Sequence, residues 1–213
     1  MRPHARIVPL EHAPGTRPRR ERIEVSIIVP FYDEASVLPY CLERLQRIGE
    51  QLAVPCEFLF VDVGSRDGSA EYLARQALTC PQIRLVRRNR NFGKEAAMTA
   101  GLDLALGDAV VIVDADLQDP PELIARMVSA WREGADVVLM RCRTRAGEAL
   151  GERISAHLFY RERNRINEFD IPADAGDFHL RLLGRKAVDA LQQSPERNRY
   201  MKRLLPGSAW KPG

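Results

Sequence analysis

From residue 22 onward, short runs of apolar β-favouring residues alternate with stretches whose apolar positions recur every three or four residues. The runs IEVSIIV (23–29), EFLFVD (57–62), IRLV (83–86), AVVIVD (109–114) and DVVLM (136–140) are rich in Val, Ile, Leu and Phe, and they predict five strands. Between the first two, Leu38, Cys41, Leu42, Leu45, Ile48 and Leu52 form one apolar stripe, which predicts a helix. Further helices are expected over 69–79, stopping before Pro81, over 94–106, ending at Gly107, and over 120–133, with Pro120 in the first turn. In the last of these, Leu123, Ile124, Met127, Val128 and Trp131 read as core packing. Strands that alternate with helices imply an α/β fold with a mostly parallel sheet and helices on both faces.

The rhythm changes after Met140. The stretch RCRTRAGEALGERISAHLFYRERNRINEF is rich in Arg and compatible with helix, DIPADAGDFHLRLL reads as a loop leading into a strand, and RKAVDALQQ as a short helix. One domain over 23–205 is expected, with a basic N-terminal tail over 1–22 and a short tail over 206–213.

Composition agrees with one globular domain: 213 residues, 45% hydrophobic and 29% charged, enough apolar material for a core. No apolar run approaches the roughly 18 residues that a membrane span needs, and the N-terminus has no apolar segment of the secretory kind. Cys41, Cys56, Cys80 and Cys142 are widely spaced, without a C-x-x-C pair, and are expected to be reduced thiols in the cytoplasm. The net charge of +3 is unevenly spread: Arg residues crowd the N-terminal tail and the stretch from Arg141 to Arg165. Anionic partners fit this pattern, although a solvated tail and helix face would show it too. Nucleic acid does not fit, because no stacking aromatics are interleaved and no known binding motif is present.

In an open α/β sheet, ligands bind beyond the carboxyl ends of the strands, where loops and helix N-termini converge. Four polar clusters fall there in succession: PFYDE (30–34), DVGSRDGS (62–69), RNRNFGKE (88–95) and DADLQD (114–119). A single acid at a strand end is commonly a turn or cap residue, but four clusters at one sheet edge point to a site. Asp114, Asp116 and Asp119 lie within six positions and repel one another. Asp114, Asp116 and Gln118 offer oxygen at alternate positions, a set suited to Mg²⁺ or Mn²⁺ shared with substrate phosphates. Such an ion would stabilise the ionised carboxylates. Asp119 is expected to cap the helix that follows.

The segments SIIVPFYDEASVL, FVDVGSRDGS, RNFGKEAAMTAGLDLALGDAVVIVDADLQDPPELI and DAGDFHLRLLGRKAVDAL together resemble the GT-A-fold nucleotide-sugar glycosyltransferases, in particular the polyisoprenyl-phosphate branch. The resemblance covers about residues 24–200. It implies a three-layer GT-A sandwich and an inverting, metal-dependent transfer of a hexose, with UDP-glucose as the favoured donor, to a polyprenyl phosphate. It implies that Pro30, Tyr32 and Glu34 line the nucleotide pocket, that Asp62 faces the base, and that Arg90 and Asn91 sit close by. Asp114 and Asp116 would be the DxD-type pair, with Gln118 as a further ligand of Mg²⁺ or Mn²⁺. Asp177 would lie near the sugar and acceptor, as a positioning group or weak base, though a turn-stabilising carboxylate is its plainer reading. Arg141, Arg143 and Arg145 are candidates for the acceptor phosphate, without a choice among them.

Two features depart from the family pattern. Val63 stands where the family has a second Asp in VDDGS, and an unmet hydrogen bond there would cost about 1–3 kcal/mol; Asp33 in place of Asn is milder. The chain also stops after RYMKRLLPGSAWKPG, where many members continue into membrane spans, so a separate catalytic domain or a truncated chain is expected. Attraction of the Arg groups to an anionic bilayer would place it peripherally, at the inner face of the cell membrane. Self-association is left open. The alternatives are a nucleotide-sugar-binding remnant with weak turnover and a glycosyltransferase with a saccharide hydroxyl acceptor, which would need a true base.

Overall fold

The computed structural model describes residues 22–87, 93–116, 120–140, 159–160 and 180–193. The elements are β1 (Val25–Phe31), α1 (Leu38–Leu52), β2 (Cys56–Asp62), α2 (Ser69–Ala77), β3 (Ile83–Arg87), α3 (Lys94–Leu104), β4 (Ala109–Ile112), α4 (Leu123–Arg132), β5 (Val137–Met140), β6 (Phe159–Tyr160), β7 (Leu180–Gly184) and α5 (Arg185–Gln193). All five strands and all four helices expected before residue 140 are present. The strand and helix expected near the end appear as β7 and α5, and the loop expected before them lies outside the described residues. Within the Arg-rich stretch, Phe159 and Tyr160 form a short strand rather than helix.

The sheet order is β3-β2-β1-β4-β7-β5-β6. β1, β2, β3 and β4 are parallel, β7 runs antiparallel to both β4 and β5, and β6 runs antiparallel to β5. Five strands therefore point one way and two the other. A plain parallel continuation would set β5 beside β4, but β7 lies between them.

Side chains alternate along the strands, and the two faces hold separate cores. Val25, Ile27, Val29 and Phe31 of β1 and Phe58 and Phe60 of β2 pack with α1, α2 and α4, while Ile28, Leu59 and Val61 pack with Met98 and Leu102 of α3 and Val188 of α5. The result is the expected α/β three-layer sandwich. α4 begins at Leu123, later than expected. Pro120 and Pro121 form the turn before it, and their carbonyls accept the amides of Leu123 and Ile124.

A buried polar patch secures the end of the sheet away from the carboxyl termini of the parallel strands. Glu57 accepts a hydrogen bond from the Ser26 hydroxyl (2.5 Å) and one from the Leu106 amide (2.8 Å), and it pairs with Arg84 (2.5 Å). The Gly107 amide donates to the Ser26 hydroxyl (2.8 Å), and the Arg185 guanidinium donates to the carbonyls of Ala105 and Gly107. The α3–β4 loop is thus held against β1, which fixes where β4 starts.

At the opposite end, the β1–α1 and β2–α2 loops are laced together. The Glu34 amide donates to the Ser69 hydroxyl (3.0 Å), and the Ala35 amide donates to the Asp67 carboxylate (2.8 Å), which also accepts the Ser69 amide (3.0 Å) and hydroxyl (2.5 Å). Gly68, at φ 92°, precedes α2 in a conformation that few other residues adopt. Burial opposes ionisation of Asp67, but the Ser69 hydroxyl and the surrounding amides outweigh it and hold the carboxyl below its ordinary value of 3.8.

Two outcomes follow. A Cβ at Gly107 would lie 2.5 Å from the Ser26 amide nitrogen and 2.8 Å from the Val25 carbonyl carbon. Gly107→Ala should therefore lower stability by roughly 1–3 kcal/mol, read as a lower urea midpoint at unchanged slope, whereas Leu106→Ala, at a half-exposed side chain, should cost far less. For Asp67, a depressed carboxylate adds stability that is present above the unfolded value and is lost as pH falls through the folded one. Asp67→Asn should accordingly cost about 0.5–1 kcal/mol near pH 6, and the gap to the parent should close as the pH drops below 3.8.

Candidate functional site

The chain order of the strands reverses at one place, between β1 and β4. β1 leads to β2 and β3 on one side, and α3 then carries the chain back to β4 on the other side of β1. α1, α2 and α4 cover one face and α3 the other, and ligands in open α/β sheets bind at such a reversal of strand order. The β1–β4 pairing runs only to Ile28 and Ile112, with the Val113 amide donating to the Ile28 carbonyl (3.0 Å), while β1–β2 pairing continues to Phe31 and Asp62. Pro30, which has no amide to donate, therefore sits where β1 has lost its β4 neighbour.

The first wall is the end of β1. Pro30 is buried, Tyr32 is exposed at the rim, and Glu34 is half-buried. Asp33 has φ 52°, a left-handed conformation that Asp and Asn tolerate better than most residues, so the exchange of Asn for Asp keeps the turn. Its amide donates to the Ser65 hydroxyl (3.0 Å), and its carboxylate accepts the Arg66 amide (2.7 Å).

The second wall is the end of β2. Asp62 is 1% exposed. One of its oxygens accepts the amides of Gly64 (3.0 Å) and Ser65 (2.8 Å), and the other lies 3.9 Å from the Arg87 guanidinium. In this arrangement the Asp62 carboxylate shapes its own turn. Val63 is 5% exposed and packs in the core on the α3 side, so it offers no polar group to a ligand.

The third wall carries the acids. Asp114 is half-buried and Asp116 is exposed, with buried Ala115 between them. Lys94, the first residue of α3, places its ammonium 2.6 Å from Asp114. Burial raises the pKa of Glu34, and the charges of Asp116, Asp67, Asp114 and Asp33 raise it further. Beneath them, the thiol of Cys41 is pushed up to about 12, chiefly by burial and also by Asp116 and Glu34, with Arg44 opposing. It stays a core thiol rather than a nucleophile.

The structure thus brings Pro30, Tyr32, Glu34, Asp62, Asp114 and Asp116 to one edge of the sheet. Arg90, Asn91, Gln118, Asp119, Arg141, Arg143, Arg145 and Asp177 lie outside the described residues. Among the described residues, no group of three His, Cys, Asp or Glu side chains is arranged to hold a metal ion. A Mg²⁺-type ion needs only one or two carboxylates when it keeps waters and takes phosphate oxygens. The Asp114 and Asp116 pair meets that requirement, and the excess negative charge felt by Glu34 is what a dication would offset.

In the sequence Lys94 stands within the cluster RNRNFGKE, and no part in the site was expected of it. Its signal was legible: a cation in the first turn of a helix opposes the helix dipole, so a nearby acid is needed to explain it.

Comparison with known proteins bears on this edge of the sheet as a whole. The model of the family described as Glycosyl transferase family 2 matches residues 26–191. An uncharacterized glycosyltransferase of Synechocystis sp., sll0501, is 44% identical over 188 residues, 88% of this chain and 58% of its own length. The bactoprenol glucosyl transferase of Shigella phage SfX is 36% identical over 183 residues, 86% of this chain and 59% of its own length. The chain therefore spans less than two thirds of these curated relatives. Among solved structures, the mannosyltransferase PcManGT from Pyrobaculum calidifontis, in complex with GDP-Man and Mn²⁺, is 31% identical at a TM-score of 0.48, over 59% of this chain and 37% of that one. With the family model spanning both cores and every strand from β1 to β7, the chain belongs to glycosyl transferase family 2.

Proposed function

We propose that this chain handles the nucleotide sugar in an inverting glycosyltransferase that moves a hexose, with UDP-glucose the favoured donor, onto a polyprenyl phosphate. The observation that carries the reading is the gathering of Glu34, Asp114 and Asp116 where β1 and β4 part. The lipid acceptor is supported by relatives named bactoprenol glucosyl transferase.

Asp114 and Asp116, joined by Gln118, would hold Mg²⁺ or Mn²⁺ at the donor diphosphate. When bound, the cation supplies Lewis-acid stabilisation of the leaving nucleoside diphosphate. Pro30 and Tyr32 would wall the nucleotide, with the Tyr32 ring offering an aromatic face at the rim. Asp62 would act by fixing the Gly64–Ser65 turn beside the base, with Arg90 and Asn91 close by. The acceptor phosphate is anionic near neutral pH, so it attacks C1 without a strong base. Arg141, Arg143 and Arg145 would hold that phosphate and Asp177 would position the sugar and acceptor. No helix among the described residues is long and apolar enough to cross a membrane. Attraction of the Arg groups to anionic lipid is the contact we propose with the cytoplasmic leaflet.

A second reading, a donor-binding remnant with little turnover, is favoured by one observation: Val63 is packed in the core and gives a base no hydrogen bond.

The test supplies labelled UDP-glucose, Mn²⁺ and undecaprenyl phosphate in detergent and measures label extracted into butanol. The first reading expects label in the lipid phase. It also expects Asp116→Asn to lose about a hundredfold or more, because Lewis-acid stabilisation is worth several kcal/mol. Transfer by that variant at the parental rate would remove the metal role, while donor binding without any transfer would support the remnant.

A further inference from the structure

Lys94 places its ammonium 2.6 Å from Asp114, one of the acid pair assigned to the metal, and its position is costly on two counts. It occupies the first turn of α3, where the dipole favours negative charge. Its side chain is also about 30% exposed, against 37% for Asp114, so the pair has given up part of its hydration. What offsets these costs is the negative charge of the strand ends, the same charge that raises Glu34.

From this geometry, and resting on the glycosyltransferase reading, we propose that Lys94 is a built-in counter-cation that competes with the dication for Asp114. While no nucleotide is present, the ammonium holds Asp114 and keeps metal affinity low. When a nucleoside diphosphate arrives, its phosphate oxygens give Lys94 a new partner at the N-terminus of α3, which itself favours anions. Asp114 is thereby released to the metal. Donor and dication then bind cooperatively, and the coupling is reciprocal: whatever the diphosphate adds to metal affinity, the metal adds to diphosphate affinity.

The chemistry of the two partners makes the exchange feasible. An ammonium is a compact charge on a flexible stem and can be redirected by rotation of its own side chain. The α3 backbone need not move, and its Gly101 packs closely against Ile28, so the helix is poorly suited to sliding. A Lys at this place therefore differs from a third metal ligand: it opposes the ion in the free protein and assists the diphosphate in the complex.

The experiment is calorimetric titration of the whole chain with Mn²⁺, alone and with saturating UDP or GDP, for the parent, Lys94→Gln and Lys94→Arg. Thermal melts monitor folding, and Lys94→Arg retains the charge. For Mn²⁺ alone, Lys94→Gln should bind roughly three- to tenfold more tightly than the parent, the range expected of one partly exposed ion pair, and Lys94→Arg should stay near the parent. With nucleotide present, the enhancement of Mn²⁺ binding should shrink by a similar factor in Lys94→Gln, and nucleotide affinity should fall. Equal or weaker binding of Mn²⁺ alone by Lys94→Gln would overturn the competition, as would an undiminished nucleotide enhancement. If the parent binds neither UDP nor GDP, the glycosyltransferase reading fails by itself, and the titration with Mn²⁺ alone still decides whether Lys94 competes for Asp114.

Discussion

The parting of β1 from β4 is the constraint on which the site depends. Up to Ile28 and Ile112 the strands are paired, and the Val113 amide makes the last bond between them. Beyond that point β1 continues beside β2 alone, and the β4 chain carries Asp114 and Asp116 away from it. α1, α2 and α4 pack on one face of the sheet and α3 on the other. The cleft is a product of strand order, and the alternating apolar residues of β1, β2 and β4 hold it open by packing two separate cores.

A cleft so formed collects charge of one sign. Burial raises the pKa of Glu34, and Asp116, Asp67 and Asp114 are near enough to raise it further. The structure manages the charge in two ways. Asp67 is satisfied by amides and the Ser69 hydroxyl, which hold it ionised and use it to lace two loops together. Asp114 is balanced by Lys94. Asp67 thus serves the frame of the site, whereas Asp114 is held by an ion pair with Lys94, the contact that we propose a dication replaces.

Much of the frame was legible in the sequence because its signals are local. Each strand from β1 to β5 is a short apolar run, each helix from α1 to α4 has a stripe at helical spacing, and each polar cluster directly follows a strand. The position of β7 between β4 and β5 was not legible, since it depends on pairing across about seventy residues to β4 and more than forty to most of β5, and leaves no mark in the strands themselves. The start of α4 was misplaced because two consecutive prolines satisfy the rule for a first turn and for the turn before a helix equally well. Within the site, residue types announced the acids, but the Lys94–Asp114 contact arises only when α3 and β4 meet. The inward packing of Val63 was hidden for a related reason: its side chain follows the alternation of β2 one residue past the strand end.

A nucleoside diphosphate and a dication are proposed to meet in the cleft between β1 and β4. That placement is tested most directly by a crystal structure of the chain with UDP and Mn²⁺, with the ion located by its anomalous scattering. A manganese peak is expected within coordination distance of Asp114 or Asp116 and of the diphosphate oxygens, with the base against the ends of β1 and β2. A nucleotide bound elsewhere, or a diphosphate in this cleft with manganese held away from both carboxylates, would contradict it.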